Sequence, residues 1–293
     1  MPELPEVETV RCGLQRLLVG RRISEVEALS PGSFQAAPAD ISQHVVGATV
    51  TAARRLAKVL MIDLDNDYSL VAHLKMTGQL VIVADGGASG ERWGGGHPND
   101  SLVDRLPDRS TRVIITLDDG AARLFFNDQR KFGWMKVMPT ADVGTLDFIA
   151  QLGPEPLDGD PTPEFLRRIR HHQATTVKAA ILNQTVIAGI GNIYADESCW
   201  VAQVHPASRV GDLNDRQLKA ILNAAIDVMT TSINLGGSTD RNYVDAEGHR
   251  GAYLGFAKVF RREGQPCQRC GTTIIKTRVA GRGTHLCPHC QRL

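Results

Sequence analysis

The sequence predicts an α+β protein of two domains, a strand-rich N-terminal half joined to a helical C-terminal half. Three observations carry this. Across residues 21–137 short apolar runs alternate with turn residues. A break rich in proline and glycine, LGPEPLDGDPTP, falls within residues 151–163. Beyond it apolar residues recur at helical spacing, and the chain closes on two Cys-x-x-Cys pairs.

Length and composition agree. A chain of 293 residues suits two domains. With 42% hydrophobic and 22% charged residues it has the balance of a water-soluble globular protein. It contains no run of about 18 apolar residues, which argues against a membrane helix. The N-terminus lacks the basic and apolar regions of a secretory signal. Four of the six cysteines lie in the last 27 residues, a pattern of metal ligands in a reducing compartment, so a cytoplasmic protein is expected.

The elements follow in order. Residues 2–18 space Val7, Val10, Leu14, Leu17 and Leu18 for one helix face, with Pro5 in the first turn, where proline is tolerated. VLMIDL, a turn of Asp65, Asn66 and Asp67, and YSLVAHL predict a hairpin; so do VIITL, Asp118, Asp119 and Gly120, and ARLFFND. Between them ADGGASGERWGGGHPNDS, residues 84–101, reads as a long surface loop and not a strand. After the break PEFLRRIRHH, VKAAILNQ and NIYADESCWVAQ predict helices. In LNDRQLKAILNAAIDVMTTSINLG, Leu218, Ile221, Leu222, Ala225, Ile226 and Met229 share one face. Cys12 and Cys199 fall in helical patterns and are expected to be packing residues. A cleft between the two domains is expected.

The cysteines carry the first chemistry. Cys267-x2-Cys270, sixteen residues, then Cys287-x2-Cys290 is the spacing of one closed four-thiolate site for a structural Zn2+. The intervening TTIIKTRVAGRGTHL predicts a hairpin turning at Gly281, Arg282 and Gly283, with Arg282 aimed outward. Charge is unevenly spread. Residues 241–293 hold ten Lys/Arg against three Asp/Glu, a net of +7, leaving 23 against 29, or −6, for residues 1–240. A basic end on an acidic body is the footprint of a polyanion binder.

PELPEVET at the start, the strand-rich half, GIGNIYADE in the helical half and the four-cysteine end together resemble the formamidopyrimidine-DNA glycosylase family. These are helix-two-turn-helix DNA glycosylases with AP-lyase activity that act on oxidised purines in bacterial base-excision repair. The resemblance spans essentially the whole chain. It implies a catalytic β-sandwich with an N-terminal helix over residues 1–138 and a linker over 139–163. A helix-two-turn-helix domain with a lesion-capping loop follows over 164–256, and a β-hairpin zinc finger over 257–293.

It also implies roles. Removal of Met1 makes Pro2 the nucleophile, Glu3 the proton donor and Lys58 the general acid of β-elimination, with Glu6 in the same network. Arg282 would bind phosphate and serve δ-elimination. Met76, Arg130 and Phe132 would fill the void left by the flipped base, with Arg130 facing the opposite base. His73 and Asn192 match phosphate contacts, and Lys178 a lysine near the lesion pocket. Taken alone, Lys58 reads as a surface lysine, Met76 and Phe132 as core residues, and Lys178 equally as a surface lysine at a helix start. Where many relatives carry a histidine before VIITL this chain has Arg109, Ser110, Thr111 and Arg112, which leaves open whether either arginine takes that contact. STDRNYVDAEGHRGAYLGFA, residues 238–257, is the expected mobile lid. The partner implied is double-stranded DNA with oxidised purines or abasic sites, bound by a monomer associated with the nucleoid. A sister class, endonuclease VIII-type glycosylases for oxidised pyrimidines, shares the architecture. The PELPEV continuation, the Met76, Arg130 and Phe132 set and Lys178 favour the purine class. A non-catalytic zinc-finger DNA-binding protein would show damage at Pro2, Glu3 or Lys58, and all three are present.

Overall fold

The computed structural model describes residues 2–84, 92–96, 105–238 and 252–293. The chain divides into two compact units, Met1–Ala150 with Gly236–Ala252, and Gln151–Leu235 with Tyr253–Leu293.

The first unit opens with helix α1, Leu4–Leu18. Glu3 and Glu6 form a reciprocal capping box, and Pro5 sits where its missing N–H leaves no bond unmade. Val7, Val10, Leu14 and Leu18 are buried as one stripe. Strands β1, Ile23–Ala28, and β2, Phe34–Gln35, are followed by a short helix α2, Pro38–Asp40, that runs into a π turn. Then come β3, Val50–Leu56; β4, Val59–Leu64; β5, Tyr68–His73; β6, Gly78–Ala84; β7, Arg92–Gly96; β8, Thr111–Leu117; β9, Ala122–Asp128; and β10, Trp134–Pro139. Helix α3, Asp147–Ala150, ends this stretch.

Among the described residues the strands form two five-stranded sheets, ordered β1-β8-β9-β6-β7 and β2-β10-β5-β4-β3. Both expected hairpins form, as the antiparallel pairs β4–β5 and β8–β9. The second turns through Asp118 and Asp119 at φ 49° and 55° and Gly120 at φ 106°, left-handed positions that Asp and Gly tolerate best. Period-two alternation then sorts the faces. Leu80, Ile82, Val113, Ile115, Leu124 and Phe126 join Ile62 and Leu70 of the other sheet, and α1, in one core. Val81, Ile114 and Phe125 lie on the outer face with Leu106. This is a β-sandwich closed by the N-terminal helix.

The glycine-rich stretch departs from expectation. Arg92–Gly96 is a strand, paired antiparallel with β6, and not part of a loop. Its anchor is Trp93, buried in the core against Gly13 of α1; a Cβ at Gly13 would collide with the indole ring. Gly96 lies at φ 120° with its backbone pressed on Gly78. These glycines permit close approach, a use that composition does not reveal. Residues 85–91 and 97–104, with His97, lie outside the described residues.

The second unit carries helices α4, Thr162–Ile169; α5, Val177–Leu182; α6, Asn192–Val201; α7, Asp215–Asn234; and α8, Tyr253–Phe256, then strands β11, Ile275–Val279, and β12, Arg282–Leu286. Asn214 and Gln217 cap α7 reciprocally, each side chain accepting the other's backbone N–H at 3.0 Å. Leu218, Ile221, Leu222, Ala225 and Met229 are buried as expected, with Ile226 half-buried. Between α5 and α6 the chain turns around Gln184, whose side chain donates to Leu182 O and Ile190 O and accepts from Gly189 N–H. Cys199 is a packing residue inside α6, its thiol pushed up to about 12 by burial. Cys12 is not; it lies exposed on α1 beside Arg11 and Glu8. Among the described residues no helix is long and apolar enough to cross a membrane.

The hairpin β11–β12 turns at Ala280 and Gly281, at φ 49° and 76°, flanked by the pair Val279 and Arg282. Two consecutive positive-φ residues are the two-residue turn that matches strand twist. Arg282 therefore opens β12 and is exposed there, one step later than the turn tip expected for it.

Candidate active site and metal centre

In the first unit α1 runs against β3. Gln15 Oε1 accepts from Ala53 N–H at 2.8 Å, and Glu8 pairs with Arg55 at 2.8 Å. As the helix is traced backwards the strand advances, so the series points the start of α1 at the turn of Ala57 and Lys58. Pro2 and Glu3 are both buried at that end. Lys58 is only 7% exposed, so it is not the surface lysine its local sequence suggests. Ala57 turns the chain there at φ 51°.

Glu6 occupies both its oxygens. Oε2 accepts from Glu3 N–H at 2.8 Å, while Oε1 accepts from Ser238 N–H at 2.8 Å and from Ser238 Oγ–H at 2.7 Å. Ser238 starts the stretch expected as the lid; residues 239–251 of it lie outside the described residues. Sequence reading did not find this link, because nothing local pairs residue 6 with residue 238.

His73 ends β5 opposite Val59, the residue after Lys58. Its Nδ1 accepts from Lys75 N–H at 3.0 Å, which leaves the ring proton on Nε2, a donor suited to an anion. Burial, then the charges of Lys75 and Lys58, pull the imidazole down to about 3. The ring therefore stays neutral through the physiological range, whereas an unfolded histidine titrates near 6.5. Because the folded value lies below the unfolded one, this contribution to stability is present above about pH 6.5 and is lost as pH falls towards 3. In an NMR titration His73 is expected to show no inflection between about pH 5 and 8; an inflection near 6.5 would contradict the burial assigned to it.

Met76, Arg130 and Phe132 come together on two adjacent turns. Arg130 Nη1 lies 3.1 Å from Met76 Sδ, and its guanidinium stands 4.8 Å over the Phe132 ring. Met76 is 40% and Phe132 53% exposed, so neither is the core residue its composition suggests. Arg112 lies behind them, buried, with Nε donating to Asp128 O at 2.8 Å; Arg109 is exposed.

In the second unit Asn192 opens α6, preceded by the extended Gly191. Its Nδ2 donates to Gly283 O at 3.1 Å, and its Oδ1 has no partner among the described residues. Lys178 is fully buried. Its Nζ pairs with Asp196 Oδ1 at 2.6 Å and donates to Gly283 O at 2.9 Å and Thr284 Oγ1 at 2.8 Å. Two ammonium protons go to hydrogen bonds and the charge faces a carboxylate, as burial of a charge demands. Asp196 Oδ2 also accepts from His285 N–H at 2.9 Å. Behind it Glu197 accepts three backbone N–H groups, from Lys258, Val259 and Phe260, while burial pushes its carboxyl up. Two acids in the mostly buried NIYADESCWV were the available signal, since a buried carboxylate needs donors.

The four cysteine sulfurs lie within 4.8 Å of one another. Cys267 and Cys290 sulfurs are 3.9 Å apart, those of Cys270 and Cys287 3.5 Å. A tetrahedron with metal–sulfur bonds of about 2.3 Å needs about 3.8 Å between sulfurs. Backbone N–H groups of Arg269 and Cys290 point at the Cys267 and Cys287 sulfurs at 3.4 Å. The donor set fits one structural zinc. The finger packs on α6, with Arg269 4.0 Å over the Trp200 ring.

Residues 1–135 match the model of the formamidopyrimidine-DNA glycosylase N-terminal domain, and residues 152–243 that of its H2TH domain. Residues 264–293 match the zinc finger found in FPG and IleRS. The chain belongs to the formamidopyrimidine-DNA glycosylase family. The Herpetosiphon aurantiacus formamidopyrimidine-DNA glycosylase is 38% identical over 99% of this chain and 100% of its own. The Listeria innocua formamidopyrimidine-DNA glycosylase is also 38% identical, over the full length of both. Among solved structures, a point mutant of Lactococcus lactis FPG in complex with Fapy-dG-containing DNA superposes with a TM-score of 0.85 at 30% identity over all of both chains. A Lactococcus lactis Fpg complex with abasic-site DNA gives 0.84 at 29% over the same span.

Proposed function

We propose that this chain is a bifunctional DNA glycosylase and AP lyase that excises oxidised purines, 8-oxoguanine and formamidopyrimidines, from duplex DNA. Family membership makes it a DNA glycosylase of base-excision repair; relatives solved with Fapy-dG and abasic DNA point to those ligands. The observation that carries the mechanism is the burial of Pro2 and Glu3 at the helix end directed towards buried Lys58.

Loss of Met1 frees the Pro2 amine. An α-amine titrates near 7.7–8 against about 10.4 for lysine, so more of it is unprotonated at neutral pH. Its lone pair bonds to the sugar C1′ as the bond from C1′ to the base breaks; the base leaves with the bonding pair and takes up the proton that the proline nitrogen gives up. Glu3 delivers a proton as the sugar ring opens, leaving an iminium between Pro2 and C1′. Lys58 acts as general acid in β-elimination of the 3′ phosphate, and Arg282 serves the δ step and binds phosphate. His73, through Nε2–H, and Asn192 hold the backbone around the flipped nucleotide. Met76, Arg130 and Phe132 fill the gap it leaves, and Arg130 faces the opposite base. Glu6 connects the catalytic end of α1 to Ser238. Lys178 acts from within as a brace behind the Arg282 strand. Zinc, when bound, holds the finger's shape and takes no part in bond breaking. The enzyme works as a cytoplasmic monomer, with catalysis in residues 1–138 and DNA binding by 164–256 and the finger, 257–293.

Borohydride trapping tests this. A duplex bearing 8-oxoguanine opposite cytosine should yield a covalent adduct through Pro2, mapped by mass spectrometry of the N-terminal peptide. Failure to trap any adduct with Met1-free protein would sink the mechanism.

A further inference from the structure

We infer that Asp128 is the positioning residue for strand invasion: its buried carboxylate joins the Met76 turn and the Arg130 and Phe132 turn into one rigid wedge. The inference rests on the void-filling reading of those three side chains.

Asp128 ends β9 opposite Gly78, the residue that starts β6, so it stands at the root of both turns. It is fully buried. Oδ1 accepts the hydroxyl of Thr77 from one turn and Arg130 N–H from the other, the latter at 3.2 Å. Oδ2 accepts Gly133 N–H at 2.6 Å, closing the far end of the second turn. Thr77 Oγ1 in turn accepts Arg130 N–H at 3.1 Å, a direct bond between the two turns. The main chain of Asp128 is pinned as well. Its N–H donates to Ser110 O at 2.8 Å, and its carbonyl accepts from Arg112 Nε at 2.8 Å. At Gly133 an added Cβ would lie 2.9 Å from Phe126 Cζ and 3.1 Å from Asp128 Oδ2, so the turn has no slack.

The need for such a device is physical. Two large apolar side chains held in water gain by folding back onto the protein. Here both turns reverse at left-handed non-glycine residues, Lys75 at φ 48° and Lys131 at φ 57°, conformations kept only where surrounding bonds over-determine them. Hydrogen bonds to a charged carboxylate are roughly twice as strong as neutral ones, and one carboxylate here serves both turns. A wedge already rigid loses little freedom on entering the duplex, so its three side chains arrive in register. The arginine before VIITL thus has an assignment: Arg112 holds the base of the wedge from behind.

The test compares wild type with Asp128→Asn and Thr77→Val on two DNAs. One is an abasic site in a single strand, where no stacked partner has to be displaced. The other is 8-oxoguanine in duplex opposite cytosine or adenine. Asp128→Asn replaces one acceptor by a donor facing other donors. Its duplex excision should fall about ten-fold or more, with the opposite-base preference moving towards unity, while single-strand lyase stays within about two-fold of wild type. Thr77→Val, which cuts only the links through the hydroxyl, should shift the same two duplex readouts by a smaller factor. Wild-type duplex rates and preference in both variants would overturn the inference. An equal loss on both DNAs would overturn it too, since a merely structural role predicts that. Wild type is read first: a wild-type protein inactive on the duplex would bring down the underlying function, an outcome distinct from any change confined to the variants.

Discussion

A protein that keeps Met1, or carries a tag before Pro2, should give no trapped adduct and lose cleavage at oxidised purines by on the order of a million-fold, the scale on which covalent nucleophiles matter. The reason is electronic. Acylation turns the proline amine into an amide whose lone pair is delocalised into the carbonyl, and it no longer attacks carbon. Duplex affinity should survive, since the exposed Met76, Arg130 and Phe132 and the finger are untouched. Replacing Pro2 by Gly keeps a terminal amine and should restore part of the rate. Intact-mass measurement establishes which terminus is present, and trapping on the same sample reads the chemistry. An adduct formed with Met1 in place would reject Pro2 as the nucleophile and turn attention to Lys58, the buried amine to which the start of α1 points.

What was legible in the sequence is local. The hairpins could be read because the Asp-Asn-Asp and Asp-Asp-Gly turns and the period-two apolar runs lie within a few residues of one another. Helix α7 could be read from its own repeat, and the zinc site from two knuckles at fixed spacing. Strand β7 was hidden because three of its five residues are glycine and its warrant is one indole seated on Gly13 of a distant helix. Lys58 and Lys178 look alike by composition, each beside apolar residues at the start of an element. Both are buried, and the partners that make Lys178 tolerable, Asp196, Gly283 and Thr284, come from elsewhere in the chain. Met76 and Phe132 fail in the opposite direction. Their apolar character argues for a core, and only the packing of the two turns leaves them in water. Burial is a property of the fold, so charges taken inside and apolar groups left outside are what local patterns misjudge.

Removing zinc by chelation, or replacing Cys287 by Ser, should abolish duplex binding while the first unit stays folded. Within itself the finger has little else to hold its shape. Its two-stranded hairpin is marginal in water by itself, and its core is the small cluster of Trp200, Val259, Cys267, Ile274 and Cys287. Structural zinc contributes on the order of 10 kcal/mol or more to such modules. Damage should spread along a defined route. Gly283 O receives both Lys178 Nζ and Asn192 Nδ2, and Thr284 Oγ1 receives Lys178 as well. A disordered β12 would leave the buried ammonium with Asp196 alone, and an under-satisfied buried charge is strongly destabilising. Amide hydrogen exchange should therefore rise in α5 and α6 as well as in β11 and β12. In β4, β5, β8 and β9 protection should hold, because their core of Ile62, Leu70, Val113 and Phe126 contains no group from the finger. Fluorescence anisotropy should show duplex affinity falling by about a hundred-fold or more, with Arg282 no longer held in place. If affinity survived zinc loss, Arg282 would not be a phosphate clamp. If affinity fell while α5 and α6 kept their protection, the Lys178 brace would not be the route by which the finger supports the helices.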